Sequence, residues 1–501
     1  MHRTGKVSAE NQAGKQVRRA AGLAYLAGAS VLVAFTAGCG ASYRPVVSAI
    51  NPVGPAGQPT KYAVAVSSPA KGEPGLVTIV DFSGDTVLAT PSIQPDPSYF
   101  VLGNSGSTAY VVNAQGALDT FQVGNPANLI TADVNQTTLL PNADPTSITP
   151  LAGTGAGTTI FIPQLGRNSI AALSSNGPSL LQELSGPAGT TPNYVVGINS
   201  APRAYALSSS TAGAPGQAAA IETTLSLPAV SNTITVGTNP TYGVMAPDAS
   251  RAYILNKGDG TVSVINVQTN QLDLTTPTIT TSTAATGTLA LNPVWAVVAP
   301  TLVELVVLNS GDGVHPGSLS VISIPLCNAV TPVTNPECNP ANPTDAAGFG
   351  TVVATVPVGV NPAMVDVLKD GSRAYVVNHG VEAYTDANGI QHASVEGSVS
   401  VVNLQTNQVT ATIPATSSAV TTQNFDSSPA LVYGHPNTVS VSLASPTGKV
   451  YITSDDNKFL TVLRTDTDTV TTHISLQGLG IALPTPGSNH PQSPGVLVTA
   501  P

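Results

Sequence analysis

Three stretches of this chain resemble one another closely enough to be aligned by eye, at residues 239–279, 361–414 and 435–476. Each starts with a strand led by proline, passes a polar turn, and continues through a strand centred on Ala-Tyr-Val or a close variant. An alternating strand follows, as in TVSVI at 261–265, and then a last strand rich in Thr and Val. Alternation bounded by Gly, Asn and Asp indicates half-buried antiparallel strands. Internal repetition of this kind predicts a fold built from one stacked unit.

The composition agrees with strands rather than helices. Only 9% of the 501 residues are charged, whereas the exposed faces of helices usually carry Glu and Lys. Hydrophobic residues make up 42% of the chain and the mean hydropathy is +0.18, which supplies a core and argues against disorder. No periodic helical stretch of useful length follows residue 40. The chain is therefore expected to be all-β.

Eight sets of four strands can be counted along the body of the chain. They lie at about 44–93, 97–139, 145–184, 192–235, 240–280, 293–357, 362–413 and 436–476. A lone twisted sheet leaves both edges unpaired, whereas sheets packed face to face around an axis keep only short, protected edges. We therefore predict a single β-propeller over residues 44–476, with eight four-stranded antiparallel blades. Seven blades is the alternative, because the first and third sets are the weakest.

The second strand of the unit carries a recurring motif. It reads YVVN at 110–113, YILN at 253–256, YVVN at 375–378 and YITS at 451–454. This pattern resembles the YVTN β-propeller repeat family, and the resemblance covers nearly all of residues 44–476. It implies a β-propeller, which in that family most often has seven blades.

The N-terminus has the layout of a secretory signal peptide. Basic residues precede an uncharged run over 20–37, and the segment TAGCG at 36–40 resembles the bacterial lipobox. The resemblance implies a signal peptide over 1–38, lipidation of Cys39 and a short linker over 39–43. Ordinary cleavage near Ala37 and an uncleaved anchor helix are the alternatives. We expect an exported, lipid-anchored bacterial protein, held at the outer membrane because Gly40 rather than Asp follows the cysteine.

The charge balance argues against one class of partner. The chain carries 17 Lys and Arg against 27 Asp and Glu, for a formal net charge of −10. Residues 1–38 hold five of those basic residues and one of the acidic ones, so the body is more acidic still. Such a surface repels phosphate backbones. We expect no nucleic acid partner, contact with a membrane only through the lipid anchor, and a monomer.

Propeller geometry predicts which loops share a face. Because successive strands are antiparallel, loops between second and third strands lie at the same end as the blade-to-blade loops. Long loops on a rigid scaffold commonly carry function, and the longest at this end are 379–397 and 414–434. The candidate binding residues predicted for this face are Asp259, Asp312, His315, His379, Glu382, Asp386, His392, His435, Asp455 and Asp456.

Imidazoles and carboxylates together could hold a divalent metal. Their spacing matches no ligand motif, however, and ordinary solvated loop side chains are the alternative. The Asp-Gly at Asp259 is interpreted as a β-turn rather than as part of a calcium loop. No metal and no cofactor are therefore predicted. The one tryptophan, Trp295, lies on an inner strand, where core packing is favoured over a ligand platform.

Two segments stand apart from the repeats. The loop 325–350, predicted for the opposite face, contains Cys327 and Cys338, which in an exported protein indicate a disulfide. Residues 477–501 form a Pro-rich tail without a strand pattern, for which we expect mobility.

These features favour a binding or scaffold module for an envelope protein, a peptide or a glycan. The sequence contains no nucleophile elbow, phosphate-binding glycine loop or haem-attachment motif. The alternative is an enzyme or an accessory subunit, similar to propeller lactonases or to the propeller chains of quinoprotein dehydrogenases. A lactonase of that kind would need carboxylates and a His or Arg converging on the axial channel. Of the two functions, the binding module is favoured and no catalytic residue is predicted.

Overall fold

The computed structural model describes residues 61–499 apart from 104–105, 125–133, 153–157, 176, 200, 211–212, 283–291, 301–302, 328–343, 387, 417–430, 443–447 and 486–487. The predicted signal peptide, Cys39 and Cys338 lie outside the described residues. The lipidation and the disulfide therefore stay predictions.

The first half of the described chain forms four blades. Blade one takes β1 (Tyr62–Ser68), β2 (Pro74–Asp81), β3 (Thr86–Ala89) and β4 (Ser92–Pro95). Blade two takes β5 (Pro97–Leu102), β6 (Thr108–Asn113), β7 (Ala117–Gln122) and β8 (Asn135–Thr138). Blade three takes β9 (Thr149–Ala152), β10 (Thr158–Gln164), β11 (Ser169–Ser174) and β12 (Leu180–Ser185), with a 3-10 turn at Leu165–Arg167. Blade four takes β13 (Thr190–Val196), β14 (Arg203–Ser210), β15 (Pro215–Glu222) and β16 (Ala229–Thr238).

The second half forms four more blades with additions. Blade five takes β17 (Pro240–Met245), β18 (Arg251–Asn256), β19 (Thr261–Asn266), β20 (Gln271–Leu272) and β21 (Thr278–Thr280). Blade six takes β22 (Pro293–Val298), β23 (Glu304–Asn309), β24 (Pro316–Ser323) and β27 (Thr351–Val360), with a hairpin of β25 (Leu326–Cys327) and β26 (Thr344–Asp345). Blade seven takes β28 (Pro362–Val367), β29 (Arg373–Asn378), β32 (Ser398–Asn403), β33 (Gln408–Thr416) and β34 (Val432–Tyr433), with a hairpin of β30 (Tyr384–Thr385) and β31 (Gln391–His392). Blade eight takes β35 (Pro436–Val441), β36 (Lys449–Ser454), β37 (Phe459–Arg464) and β38 (Thr469–Ser475), and the chain continues through β39 (Leu479–Gly480) and β40 (Val496–Val498).

The eight sheets form an all-β propeller of eight blades, as predicted, and both of the weakest repeat sets form blades. The first strand of a typical blade lies innermost, since β17, β22, β28 and β35 each contact the next one around the ring. Neighbouring blades bury valine, isoleucine, leucine and tyrosine side chains between them, and the largest such cluster runs from blade five to blade eight. Burial of these sheet faces is the main stabilising contribution.

Blade one is the exception, because its innermost strand comes from the tail. β40 pairs antiparallel with the free edge of β1, through Ala63↔Val498, Val64↔Leu497 and Ala65↔Val496, and β39 pairs with the end of the same strand. The expectation of a strandless tail is therefore wrong. Pairing with a strand edge that would otherwise be bare stabilises a segment that shows no alternation of its own.

In four of the blades, a basic side chain at a repeated position contacts the next blade. In four blades the first residue of the second strand is basic, at Arg203, Arg251, Arg373 and Lys449. Arg373 Nη1 lies 2.6 Å from an oxygen of Asp468 in the next blade, and Lys449 Nζ lies 2.7 Å from an oxygen of Asp85 in blade one. Asp85 and Asp468 occupy equivalent turns, both with φ of 52°, a conformation that Asp tolerates well. These side chains join adjacent blades on the face opposite the long loops.

A second repeated contact closes the turn between the second and third strands. The side-chain amide of Asn256 donates to Thr261 and Ser263, both at 2.9 Å. Asn309 and Asn378 make the same kind of contact with serine hydroxyls of their own third strands. The side-chain amide thus makes the hydrogen bonds that water would otherwise make to the polar groups buried at the strand end.

Candidate functional site

The loops between second and third strands share one end of the ring with the blade-to-blade loops, and this end is called the loop face below. A cleft of about 760 Å³ opens on it between blades five, six and seven. Its fourth wall is a segment of the tail, the described residues 481–485 and 488–495, called the strap below. The cleft is lined by Thr241, Lys257, Asn292, Val294, Ser310, Gly311, Asp312, Gly313, Val314, Asn361, Pro362, Ala363, His379, Gly380, Val381 and Glu382, and by strap residues Leu483, Pro484, Thr485, Ser488, His490, Pro491 and Gln492.

The strap crosses the loop face before it enters the channel. Its Leu483 N–H donates to Asp455 of blade eight at 3.3 Å, and the Asn489 amide donates to Thr191 of blade four at 3.2 Å. Ser493 then accepts the Phe100 N–H of blade two at 3.1 Å. Contacts with three separate blades hold the strap across the ring, so that it forms a fixed wall of the cleft.

Two of the predicted histidines fasten the insertion of blade seven to blade eight. His379 Nε2 lies 3.1 Å from Asp455 Oδ1, and its Nδ1 lies 3.3 Å from the Gly380 carbonyl oxygen. The His379 ring stacks on that of His435 with centroids 5.0 Å apart. Both ring nitrogens of His379 face acceptors, which leaves neither of them available to a ligand. Its main contribution is to hold the 379–397 loop in place.

His435 is enclosed by acidic side chains. Its Nδ1 lies 2.9 Å from Asp456 Oδ2 and 3.5 Å from Glu382 Oε1, and its backbone N–H donates to Asp456 Oδ1 at 2.6 Å. The hydrogen bond to Asp456 raises the pKa of His435 despite its burial. Burial would raise the pKa of Asp456, but hydrogen bonds from His435 outweigh it and the pKa is lowered.

We expect His435→Gln to destabilise the protein most near pH 5. A histidine with a raised pKa contributes stability below its unfolded value of about 6.5, and that contribution is lost as pH rises through the folded value. Because the pKa of Asp456 is lowered, its carboxylate contributes to stability above its unfolded pKa of about 4. Both groups therefore contribute near pH 5. Because Asp456 is 35% exposed, solvent reduces the effect to about 1 kcal/mol. Denaturant unfolding at pH 5 and pH 8 measures it, and an equal loss at both values would contradict the assignment.

The other predicted residues form local pairs. His315 Nδ1 lies 2.6 Å from Asp312 within one exposed turn, and His392 Nε2 lies 3.3 Å from Asp386 on the β30–β31 hairpin. Asp259 accepts the Thr238 N–H at 2.7 Å and lies in a turn in which the Gly260 N–H donates to the Asn256 carbonyl at 3.0 Å. Of the predicted candidates, Asp312, His379 and Glu382 line the cleft. Asp455 and His435 of blade eight contact His379 and Glu382 from outside the cleft, and Asp456 contacts His435. Among the described residues, no three His, Cys, Asp or Glu side chains are arranged to hold a metal ion.

The sequence interpretation overlooked Lys257. This lysine lies in the turn between β18 and β19 and lines the cleft. Burial lowers its pKa, and its ammonium group makes no hydrogen bond or ion pair within the part of the chain that the structure describes. Alignment of the repeats could have found it, because Lys257, Ser310 and His379 each follow the capping asparagine of their blade, and all three line the cleft.

The comparisons with known proteins agree on the fold. NirN, a dihydro-heme d1 dehydrogenase solved in complex with DHE, is similar with a TM-score of 0.57 and 11% identity over 84% of this chain and 75% of that one. Apo AztD from Citrobacter koseri is similar with a TM-score of 0.50 and 11% identity over 87% of this chain and 97% of that one. At these identities the likeness shows the β-propeller fold alone.

The sequence comparisons match only part of the chain. A family model described as choice-of-anchor I domain matches residues 340–449, and no curated protein matches. The matched model is not the YVTN repeat family, so that resemblance stays a prediction. In the described ranges, no helix combines the length and apolar character that crossing a bilayer requires. The chain is thus a β-propeller that resembles a choice-of-anchor I domain over residues 340–449.

Proposed function

We propose that this propeller is an extracytoplasmic binding module that holds a protein or peptide ligand with an acidic group in the cleft of the loop face. The observation that carries the proposal is Lys257. An ammonium group that has lost part of its water without gaining a partner is unfavourable. A ligand carboxylate placed beside it would supply the missing charge and hydrogen bonds.

The shape of the cleft supports a peptide more than a glycan. A volume of about 760 Å³ lies within the range of about 300–1,000 Å³ that is usual for ligand sites. Apolar side chains such as Val294, Val314 and Val381 alternate with polar groups around it. No aromatic residue other than histidine lines it, among the residues described, so the flat rings that stack on sugars lie elsewhere. The strap supports a peptide ligand as well, since a segment of this chain with Pro484 and Pro491 already lines the cleft.

The location rests on two features of the sequence. The lipobox-like segment at 36–40 supports a lipid anchor on Cys39, and the choice-of-anchor I match supports placement at the cell surface or in the envelope. The proposed module is an outer-membrane lipoprotein of the YVTN type, with the loop face turned towards envelope partners.

The test uses defined peptides and three proteins. We expect hexapeptides that contain Asp or Glu to bind the intact protein in a fluorescence anisotropy titration, with the matching Asn or Gln peptides binding less tightly. Lys257→Met removes the ammonium group and is expected to weaken binding by about 30-fold, because the carboxylate would be left unpaired in the cleft.

Lys369→Met is the matched control, since Lys369 lies on an exposed turn of the opposite face, and we expect it to bind as the intact protein does. A uronic acid oligosaccharide provides the glycan arm. Equal binding by Lys257→Met and the intact protein would overturn the proposal, and so would tighter binding of the oligosaccharide than of any peptide.

A further inference from the structure

The central channel carries an arc of aromatic side chains that the cleft does not use. The second residue after the proline of the inner strand is aromatic in four blades, at Tyr99, Tyr194, Tyr242 and Trp295. Tyr242 and Trp295 stack with ring centroids 4.2 Å apart, Tyr194 and Tyr242 lie at 4.8 Å, and Tyr99 and Tyr194 at 6.5 Å. Four of the eight blades therefore contribute an aromatic ring to the channel, and each ring lies against the next.

Two cavities lie beside this arc at the end of the channel opposite the loop face. Their volumes are about 500 and 310 Å³. Both are lined by Tyr242 and Trp295, and by Pro247 from a loop on that opposite face. Pro494 and Leu497 of the tail line both as well. The tail thus fills part of the channel and leaves an aromatic-lined space on either side of it.

One carboxylate faces the smaller cavity. Asp366 on β28 lines it together with Met364 and Met245. Its Oδ1 accepts the Val367 N–H at 2.8 Å and its Oδ2 accepts the Val441 N–H at 2.7 Å. Two backbone donors occupy two of the roughly four lone-pair positions of a carboxylate. The remaining ones are open to a ligand in the cavity, and Asp366 forms no salt bridge with a basic residue within the described chain.

We propose that this end of the channel binds a small organic cation, such as a quaternary ammonium group or a protonated amine. Aromatic faces attract cations through the ring quadrupole, most strongly for tryptophan and tyrosine and more so where water is excluded. Trp295 and Tyr242 supply such rings, and Asp366 supplies the opposite charge in surroundings that are otherwise apolar. An anion would be repelled by the Asp366 carboxylate, since no basic residue lies beside it. A neutral ligand would leave the charge of Asp366 uncompensated.

The surroundings of Asp366 contain few competing charges. The packed strands β22, β24 and β35 carry no charged residue. On β29, Arg373 and Tyr375 are both engaged by Asp468 of blade eight, and Glu304 begins β23. Tyr242 is the other titratable group of the cavity, and burial raises its pKa well above the ordinary value. Burial likewise raises the pKa of Asp366 to about 6.

The experiment uses the intrinsic fluorescence of Trp295, the one tryptophan in the chain. We expect choline or tetramethylammonium to change this fluorescence saturably at pH 7.5, and 3,3-dimethylbutanol, the neutral isostere of choline, to bind at least about tenfold more weakly. Asp366→Asn keeps the shape and removes the charge, and we expect it to weaken choline binding by about tenfold or more while leaving the neutral isostere unaffected. Choline affinity is expected to fall as pH drops through about 6, because protonation removes the charge of Asp366.

Two further proteins keep the result interpretable. Tyr242→Leu, followed by calorimetry, removes one ring without touching the charge and is expected to weaken choline binding. Lys257→Met alters only the cleft of the loop face, so choline binding is expected to be unchanged in it, which separates this site from the proposed function. Absence of saturable binding of both cations by the intact protein would overturn the proposal, as would equal affinity of Asp366→Asn or of the neutral isostere.

Discussion

A chain shortened to end at Gln477 is expected to unfold about 5–10 °C below the intact protein. The deletion removes β40, whose Val496 is fully buried, and leaves one edge of β1 bare inside the channel. It also removes the hydrogen bonds from Tyr62 N–H to Thr499 Oγ1 and from Val66 N–H to the Gly495 carbonyl. Each buried backbone group left unpaired costs about 1–3 kcal/mol, so several such losses add up to a large fraction of ordinary domain stability.

Thermal melting and amide hydrogen exchange measure this effect together. The amides of β1 are expected to lose protection, while those of the distant blade four keep it. A chain that lacks only residues 500 and 501 is the control and is expected to melt with the intact protein. If the chain ending at Gln477 kept both its melting temperature and the protection of β1, the pairing of β40 with β1 would not contribute to closure of the ring.

The second large effect is expected for Arg251→Met. The side chain of Arg251 is 3% exposed and lies 2.9 Å from Asp273 and 3.0 Å from Asp345, which are 4% and 7% exposed. Removal of the guanidinium would leave two buried carboxylates facing each other without a cation. Breaking a buried ion pair in this way costs about 3–5 kcal/mol. It would also remove one of the contacts that hold the β25–β26 hairpin of blade six to blade five through Asp345, its last residue, and would leave the hydrogen bond from Thr275 in place.

This destabilisation is expected to grow with pH. Burial and the neighbouring Asp273 raise the pKa of Asp345, so acid relieves the repulsion by protonating Asp345, whereas at pH 8 both carboxylates are charged. Denaturant unfolding at pH 4.5 and pH 8 measures the difference. Arg464→Met is the matched control, because Arg464 is 51% exposed in its pair with Asp466 and surface pairs contribute little. A loss for Arg251→Met as small as that of the control would contradict the role of the buried cluster.

Repetition made most of this fold predictable. The proline that leads an inner strand, the Tyr-Val strand and the alternating strand are local patterns, and they recur often enough to place the boundaries of blades two to eight within a few residues. Asp and Asn at the outer turns adopt positive φ, which explains why only these residue types recur there. Composition and the lack of helical periodicity after residue 40 together argued against helices.

The tail and the contacts of the site were not predictable in this way. β40 forms because β1 offers an edge more than 400 positions away in the sequence, and its own segment contains proline at 491 and 494 without any alternation. Similarly, the loop map placed His379 and Asp455 on one face, but their pairing depends on how blades seven and eight pack. Sequence spacing holds no information on such contacts between blades.

The joining of Tyr62 to Thr499, 437 positions apart, has a consequence for how the molecule reaches its native state. Bringing two such distant segments together has an entropic cost that is met before their contacts can stabilise the structure. The pairing of β40 with β1 should therefore be the last part of the fold to form. Until then β1 stays available to foreign strands, which is the hazard that exposed edges carry. Refolding from denaturant should therefore show a slow final phase, during which added β-prone peptides can compete for the place that the native strand later takes.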